Sequence, residues 1–143
     1  MIVFIIALEV LAILANLALP MTQDAALRGR ATTIAREMQQ VREASLKALA
    51  GRDEWSPQPA VEAPPPEVTA ALPNGFAFSH DDYRIVWERW SVADPEVLGL
   101  RQRNVAAVTV IAADPRLAAL VAKAIPAGEI RYTIGDHTTL VVQ

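Results

Sequence analysis

The 143-residue sequence predicts an α+β fold, in which a long N-terminal helix packs on a small, mostly antiparallel sheet with one short helix. The first twenty residues are apolar apart from one charge, and the residues that follow keep a helical spacing of apolar side chains. From Gly75 the apolar residues instead alternate with a period of two, as in strands. We therefore divide the chain into an apolar helix (1–20), its amphipathic continuation (21–51), a proline-rich linker (52–74) and a globular α+β part (75–143).

The composition excludes several classes of function. The formal net charge of -3 is small and the basic residues are scattered, so neither a nucleic acid nor an anionic membrane surface is expected as a partner. The sequence contains no cysteine, which excludes disulfides, thiol catalysis and zinc sites with cysteine ligands. The most unusual feature that remains is the apolar N-terminal segment.

The segment MIVFIIALEVLAILANLALP has the length of a membrane-spanning helix, since about twenty apolar residues cross the bilayer core. A cleaved secretory signal would carry basic residues before a shorter apolar core, whereas the first basic residue here is Arg28. A buried core helix would need a larger protein around it than the remaining residues provide. We therefore predict that residues 1–20 insert into a membrane.

Glu9 and Asn16 are polar residues inside this predicted span. An acidic residue near the centre of a membrane helix costs about 2.5–3.5 kcal/mol, which the surrounding leucines and isoleucines offset. We expect Glu9 to be protonated or to have a partner, and we predict that it contacts another helix. The alternative is an acid tolerated near the shallow end of a tilted helix. Asn16 is a candidate for a hydrogen bond between helices.

Pro20 separates the two halves of the predicted helix and removes one backbone hydrogen bond, so we expect the helix to bend or locally melt there. In residues 21–51 seven side chains at alternating spacings of four and three share one face. They are Leu27, Ala31, Ile34, Met38, Val41, Ser45 and Ala48. This stripe is too short for a coiled coil and predicts packing against the sheet, and Gly51 marks the end of the helix.

The linker, residues 52–74, is rich in proline and lacks a helical period, which predicts an extended surface connector with Trp55 as a contact to the globular part. Two strands are predicted next, FAFSH after an Asn-Gly turn and then DYRIVWERW. In the second strand Tyr83, Ile85 and Trp87 share a face.

The segment SVADPEVLGLRQR is predicted to be a loop, and the apolar, β-branched NVAAVTVIAA to be the central strand. Asp114 is a helix-capping acid and Pro115 suits the first helical position, so RLAALVAKAI is predicted to continue as a helix that ends at Pro126. The segments EIRYTI and HTTLVV flank Gly135-Asp136, which predicts a hairpin with a type II′ turn.

The sequence has no glycine-rich phosphate loop, no HExxH, no GxSxG and no Cys–His pair. Two groups of predicted loop residues contain carboxylates, the ligand type that calcium prefers, but the EF-hand spacing is absent. They are His80, Asp81 and Asp82, and Asp94 and Glu96. We interpret them as turn residues in solvent, and His137 as a surface strand residue. The sequence thus predicts no enzyme, no cofactor and no metal site.

The segment ILANLALPMTQDAALRGRATTIAREMQQ resembles the ILAAIALP segment of type IV pilins and type II secretion pseudopilins, with its proline and the helix that follows. The resemblance implies a structural subunit of a filament or pseudopilus, anchored in the inner membrane by its N-terminal helix before it polymerises through that helix. The implied partners are copies of the chain or related pilin-like subunits, and the inner-membrane assembly machinery. The globular domain would lie outside the cytoplasm, and the filament in the periplasm or at the cell surface. Glu9, Asn16 and Pro20 are the candidate contacts in helix assembly.

The sequence departs from that family in two places. The family has a basic leader ending in glycine before the apolar helix, and none is written before the first residue here. Counting back from Pro20, the position of the family's acid is occupied by Val3, while Glu9 lies closer to the proline. Either the sequence begins inside a longer precursor, or the subunit lacks the family acid, as would suit a filament tip. Without a leader, the positive-inside rule would place Arg28 and Arg30 in the cytoplasm.

Two other functions stay open from the sequence. One is a single-pass, membrane-anchored binding domain in the periplasm or outside the cell that does not polymerise, in which case replacing Glu9 or Asn16 by alanine would leave function intact. The other is an anchored enzyme, which would need a pocket with convergent polar groups.

Overall fold

The computed structural model describes residues 2–50, 64–93 and 102–142. Within these ranges the chain forms three helices and four strands. In chain order they are α1 (Ile2–Leu49), α2 (Pro66–Ala71), β1 (Tyr83–Ala93), β2 (Gln102–Ala112), α3 (Pro115–Ala124), β3 (Arg131–Ile134) and β4 (His137–Val141). The long N-terminal helix and the four-stranded antiparallel sheet confirm the predicted α+β class.

α1 is one continuous helix of 48 residues, about 72 Å long at a rise of about 1.5 Å per residue. It runs through Pro20, so the prediction of a locally melted segment there is wrong. A proline removes one bond of the ladder, but the bonds of the turns on either side keep the backbone helical. Every residue from Ile2 to Ala26 is exposed, and this half of the helix is long and apolar enough to cross a membrane.

The second half of α1 packs its predicted apolar face into the core. Five of the seven residues of the predicted stripe are buried, and Leu27 and Ala48 are partly buried against the core. The five are Ala31, Ile34, Met38, Val41 and Ser45. Ala35 and Ala44 are buried as well, because the sheet and the two shorter helices cover more of α1 than one stripe. The predicted packing of this half is confirmed.

The sheet has the strand order β1-β2-β4-β3, and each neighbouring pair is antiparallel. β2 lies between β1 and β4, which confirms the prediction of a central strand. The sheet face turned towards α1 carries Tyr83, Ile85 and Trp87, as predicted, and all three are buried. Trp87 Nε1 donates a hydrogen bond of 3.0 Å to Ser45 Oγ on α1, so a buried polar pair joins the helix to the sheet.

The two local signals predicted after β2 are confirmed. Asp114 caps α3, since its Oδ1 accepts a hydrogen bond of 2.9 Å from the N–H of Arg116, and a proline occupies the first helical turn. Gly135 has a φ of 59° whereas Asp136 does not have a positive φ, which identifies a type II′ turn between β3 and β4. After its N-terminal cap α3 packs against α1, and after the turn β4 pairs with β2.

The predicted strand FAFSH is not a strand. Its backbone pairs only through an isolated bridge from Ser79 to Arg84. The chain turns instead, with the N–H of Phe76 donating to the carbonyl of Pro73 over 3.1 Å. The rings of Phe76 and Phe78 contact each other edge to face, with centroids 5.0 Å apart, and both pack against the core. The apolar alternation here comes from two aromatic rings that cover the core and not from a sheet ladder.

The predicted extended connector contains the short helix α2 in its described part. Pro66 occupies the first turn, where the missing N–H is not needed, and Val68 and Leu72 are buried in the core. Trp55 and Gly51 lie outside the described residues, together with the rest of the connector. β1 and β2 include both ends of the predicted loop between them, and its middle also lies outside the described residues.

We expect Met38→Ala to lower the free energy of unfolding by about 2–5 kcal/mol, because Met38 is fully buried and its truncation leaves a cavity. Arg36→Ala, on the exposed side of the same helix, should change this free energy by less than about 0.5 kcal/mol. The measurement is urea unfolding of the full chain in detergent, followed by tryptophan fluorescence. Equal losses in the two variants would contradict the packing of α1.

Candidate functional site

The candidate contact residues Glu9, Asn16 and Pro20 lie on the exposed half of α1. Within the described ranges, neither Glu9 nor Asn16 makes a side-chain hydrogen bond or ion pair with another residue. A polar side chain inside hydrocarbon is costly unless it finds a partner. In a membrane both side chains are therefore available to another helix.

The three residues share one face of α1, and the same face is buried in the second half of the helix. Eighteen residues make five full turns at 3.6 residues per turn, so side chains eighteen residues apart point in the same direction. The aligned pairs are Glu9 with Leu27, Asn16 with Ile34, and Pro20 with Met38. The second member of each pair is buried or partly buried in the core. The polar face of the first half of α1 thus lies on the side of the helix that carries the globular part.

Pro20 adds a further polar group to this face. Because proline has no N–H, the carbonyl of Asn16 lacks the donor four residues ahead that would complete the helix ladder. The backbone carbonyl of Asn16 therefore lacks its usual helical donor, and it lies beside an Asn16 side-chain amide that makes no hydrogen bond with another described residue. The nearby hydroxyl of Thr22 does not replace this donor, because it donates to the carbonyl of Ala18 over 2.8 Å.

A cluster of five side chains joins the second half of α1 to the start of β1 and the loop before it. Arg30 donates two hydrogen bonds to Asp82, from Nη2 to Oδ1 over 2.6 Å and from Nε to Oδ2 over 2.9 Å. Tyr83 Oη donates to Glu37 Oε2 over 2.6 Å. The His80 ring stacks on the Tyr83 ring with centroids 4.3 Å apart, and the Arg30 guanidinium lies 4.9 Å from the centre of the Tyr83 ring. These contacts hold the loop against the helix.

The ionisation of the cluster follows from these contacts. The hydrogen bonds from Arg30 lower the pKa of Asp82 and raise the pKa of Arg30 itself. Burial, together with the hydrogen bond to Glu37, raises the pKa of Tyr83 above its usual value. At neutral pH the ion pair is charged and the Tyr83 hydroxyl remains a neutral donor. The shifts therefore strengthen contacts and do not prepare a catalytic base.

The two carboxylate groups that were compared with calcium ligands form no metal site in the part of the chain that the structure describes. No group of three or more potential ligands comes together there. Both carboxylate oxygens of Asp82 accept hydrogen bonds from Arg30, so its interpretation as a simple turn residue in solvent is wrong. His137 is exposed at the start of β4, as predicted for a surface strand residue. Asp94 and Glu96 lie outside the described residues.

The sheet face turned away from α1 carries an open groove of about 740 Å³. Thr109 and Thr139 form its floor, with hydroxyl oxygens 2.8 Å apart, and Thr109 also donates to Glu88 over 3.3 Å. The groove is lined by Glu88, Trp90, Thr109, Arg131, Tyr132, Thr133, Ile134, His137 and Thr139. An aromatic residue on each side, Trp90 and Tyr132, and a polar floor are features of a ligand groove. The two floor hydroxyls already bind each other and Glu88.

No protein-family model, curated protein or solved structure matches this chain. The structure shows a long N-terminal helix whose apolar first half is able to span a membrane and whose second half packs on a small antiparallel sheet. This architecture is compatible with a pilin-like subunit.

The sequence did not predict the ion pair between Arg30 and Asp82 or the groove. The two residues of the ion pair are 52 positions apart, so no local pattern connects them. The groove has a usable signal, because Glu88 and Trp90 belong to the second face of the alternating β1 pattern. A strand with a regular pattern on both faces indicates that the outer face of the sheet also makes contacts.

We expect Asp82→Asn to lower the free energy of unfolding by up to about 1 kcal/mol at pH 7, because a half-exposed bidentate ion pair is lost. The pKa of Asp82 is lower in the folded than in the unfolded chain. The ion pair therefore stabilises the fold above the unfolded value of about 3.9, and its contribution is lost as the pH falls through the folded pKa.

The measurement is urea unfolding of the full chain in detergent at a series of pH values. The difference between the parent chain and Asp82→Asn should shrink as the pH falls below about 4. Asp81→Asn is the matched control, since Asp81 is exposed beside the ion pair. A difference that does not change with pH, or an equal effect of Asp81→Asn, would contradict the assigned role of Asp82.

Proposed function

We propose that this protein is a structural subunit of a pilin-like filament or pseudopilus, held in a membrane by the first half of α1 and polymerising through it. The observation that supports this is the division of α1 into an exposed apolar half and a half buried under the globular part. Twenty residues of helix measure about 30 Å, the thickness of the hydrocarbon core of a bilayer. An apolar surface of this size needs lipid or other helices around it.

In this proposal, assembly replaces one apolar environment by another. Lipid chains cover the first half of α1 in the bilayer, and the helices of neighbouring subunits cover it in the filament. Lipid is as apolar as leucine, so close packing and hydrogen bonds between helices drive the exchange. Glu9 and Asn16 are the hydrogen-bonding groups, and Pro20 weakens the ladder by one bond where a bend would be useful during transfer.

Under the same proposal, the membrane is the inner membrane and the globular part lies outside the cytoplasm. The filament lies in the periplasm or at the cell surface. Its partners are copies of the chain or related pilin-like subunits, together with the inner-membrane assembly machinery.

We expect the full chain to require detergent for solubility, and the chain lacking residues 1–20 to be a soluble monomer. Most of the large exposed apolar side chains of the described residues lie on the exposed half of α1, while the core is formed by residues beyond it. Size-exclusion chromatography with light scattering measures the mass of each form. A truncated chain that remains aggregated would contradict this division of the molecule.

The decisive experiment searches for the chain in filaments. Electron microscopy and immunolabelling of sheared surface and periplasmic fractions should find filaments or a pseudopilus that contain it. Glu9→Ala and Asn16→Ala should each reduce these assemblies, whereas Glu43→Ala, an exposed acid outside the apolar half, should not. If the full chain stays monomeric in membranes and occurs in no filament or assembly complex, the proposal is wrong.

A membrane-anchored binding domain is the second candidate, and the groove on the outer sheet face favours it. Its aromatic sides and polar floor would take an extended ligand without any contact between membrane helices. The two candidates differ in their sensitivity to the first half of α1. Binding through the groove would survive Glu9→Ala and Asn16→Ala and would be lost on Tyr132→Ala.

A further inference from the structure

Three polar groups lie on one face of the membrane half of α1: the Glu9 carboxyl, the Asn16 side-chain amide and the Asn16 carbonyl that Pro20 leaves without its helical donor. Glu9 and Asn16 are seven residues apart, which is about 10 Å along the helix and about 20° around it. Lipid chains offer no hydrogen bonds, so this face, the Glu9–Asn16 face, needs a polar partner inside the bilayer.

The globular part overhangs the Glu9–Asn16 face. Two successive steps of eighteen residues lead from Glu9 to Leu27 and then to Ser45. Ser45 is buried and accepts a hydrogen bond from Trp87 of the sheet. A line drawn along this face of α1 therefore leaves the bilayer and passes directly under the sheet.

The overhang begins close to the membrane half. On one flank α3 packs against α1. The charge of Asp24 on α1 adds to the rise in the pKa of Arg116, in the first turn of α3, that comes mainly from hydrogen bonds to Asp114. On the other flank Arg30 holds Asp82 of the loop before β1. Asp24 and Arg30 lie four and ten residues beyond Pro20, which is about 6 and 15 Å along the helix. The space above the face is thus filled soon after the chain leaves the bilayer.

A second copy that lies alongside α1 at the same depth cannot cover this face. Two packed helices lie about 8–10 Å apart, and on this side of the second half of α1 that layer is already taken by α3 and the sheet. Copies in one bilayer share orientation and depth, so the second half of a partner's α1 would run into the globular part. Copies can meet instead through the opposite face, which is exposed along the whole helix. In the membrane half it presents Ala7, Leu11, Leu14 and Ala18, at spacings of four, three and four.

We propose that in the bilayer the Glu9–Asn16 face binds a transmembrane helix of a different protein, one that ends at the membrane surface on the side of the globular part. The Glu9 carboxyl and the Asn16 carbonyl both accept hydrogen bonds, so the partner helix presents a donor or a basic side chain at their depth. A protein with several membrane helices and short loops has this shape. The inference rests on the membrane insertion that is part of the proposed function, and it does not require polymerisation.

Ile13 and Leu14 make a matched pair for the test, because they are neighbours at nearly one depth and point about 100° apart. Ile13 points towards the side of the Glu9–Asn16 face, and Leu14 towards the side of Leu11 and Ala18. Eighteen residues ahead, Ile13 is aligned with the buried Ala31 and Leu14 with the exposed Thr32. The chain has no cysteine, so Ile13→Cys and Leu14→Cys each give a single thiol. In oxidised membranes of the cells that make the protein, Leu14→Cys should form disulfide-linked homodimers and Ile13→Cys should not. Homodimers of Ile13→Cys would overturn the inference, because a second copy would then cover the Glu9–Asn16 face.

A photo-crosslinking amino acid at Ile13 of the full chain identifies the partner in the same membranes. We expect an adduct whose crosslinked peptide, located by mass spectrometry, lies in a transmembrane segment of a protein with several such segments. Glu9→Ala should lower the yield of this adduct about three- to tenfold, the effect of one hydrogen bond between helices in a bilayer. Glu43→Ala, on the exposed side of the second half of α1, should leave it unchanged.

The inference is overturned by the absence of an adduct, by an adduct with a second copy, by a yield that does not depend on Glu9, or by a partner helix that continues beyond the membrane surface on that side. Failure of the proposed function looks different. Filaments that contain the chain, without the Ile13 adduct, would support the proposed function and overturn this inference. The Ile13 adduct in cells that form no filament would support this inference and contradict the proposed function.

Discussion

The uninterrupted backbone of α1 determines how the other parts of the molecule are related. The helix is one element from Ile2 to Leu49, so the direction of a side chain in the second half fixes the direction of every side chain in the first. Ile34 and Met38 are fully buried, and a rotation of α1 about its axis would expose both at a cost of about 1.5–3 kcal/mol for each. The packing of the core, and not the membrane, therefore sets the rotational position of the apolar half.

The two halves of α1 are stabilised by different surroundings. The second half completes a core together with the sheet, α2 and α3, whereas no residue from Ile2 to Ala26 is buried, and an apolar surface of that size would need lipid or other helices around it. The contacts of Arg30 with Asp82 and of Glu37 with Tyr83 lie where these surroundings meet. Because Arg30 and Asp82 are partly exposed, their ion pair contributes more to the orientation of the loop before β1 than to the free energy of unfolding.

Helices and strands with a strong local period were predictable from the sequence, because their period reflects the face that they bury. Errors arose where composition and packing disagree: the prolines of the linker predicted an extended chain, but a helix allows Val68 to reach the core. The pair Arg30–Asp82 was out of reach, since only the fold brings residues 52 positions apart together. The alignment of Glu9 with the buried face was present in the sequence all along. It acquires meaning only because the helix is not interrupted at Pro20.

Separate faces for separate partners would also account for polar groups in a helix that lipid surrounds. A hydrogen bond between membrane helices is worth only about 0.6–2 kcal/mol, so Glu9 and Asn16 would select a partner without holding it tightly. Such a contact can be released when the helix leaves the bilayer, and Glu9 and Asn16 are then available to the helices of neighbouring subunits in a filament. Packing through Leu11 and Leu14 needs no polar group and is equally available in lipid and among other helices. With the globular part above one face only, the first contact can be lost while the second is kept.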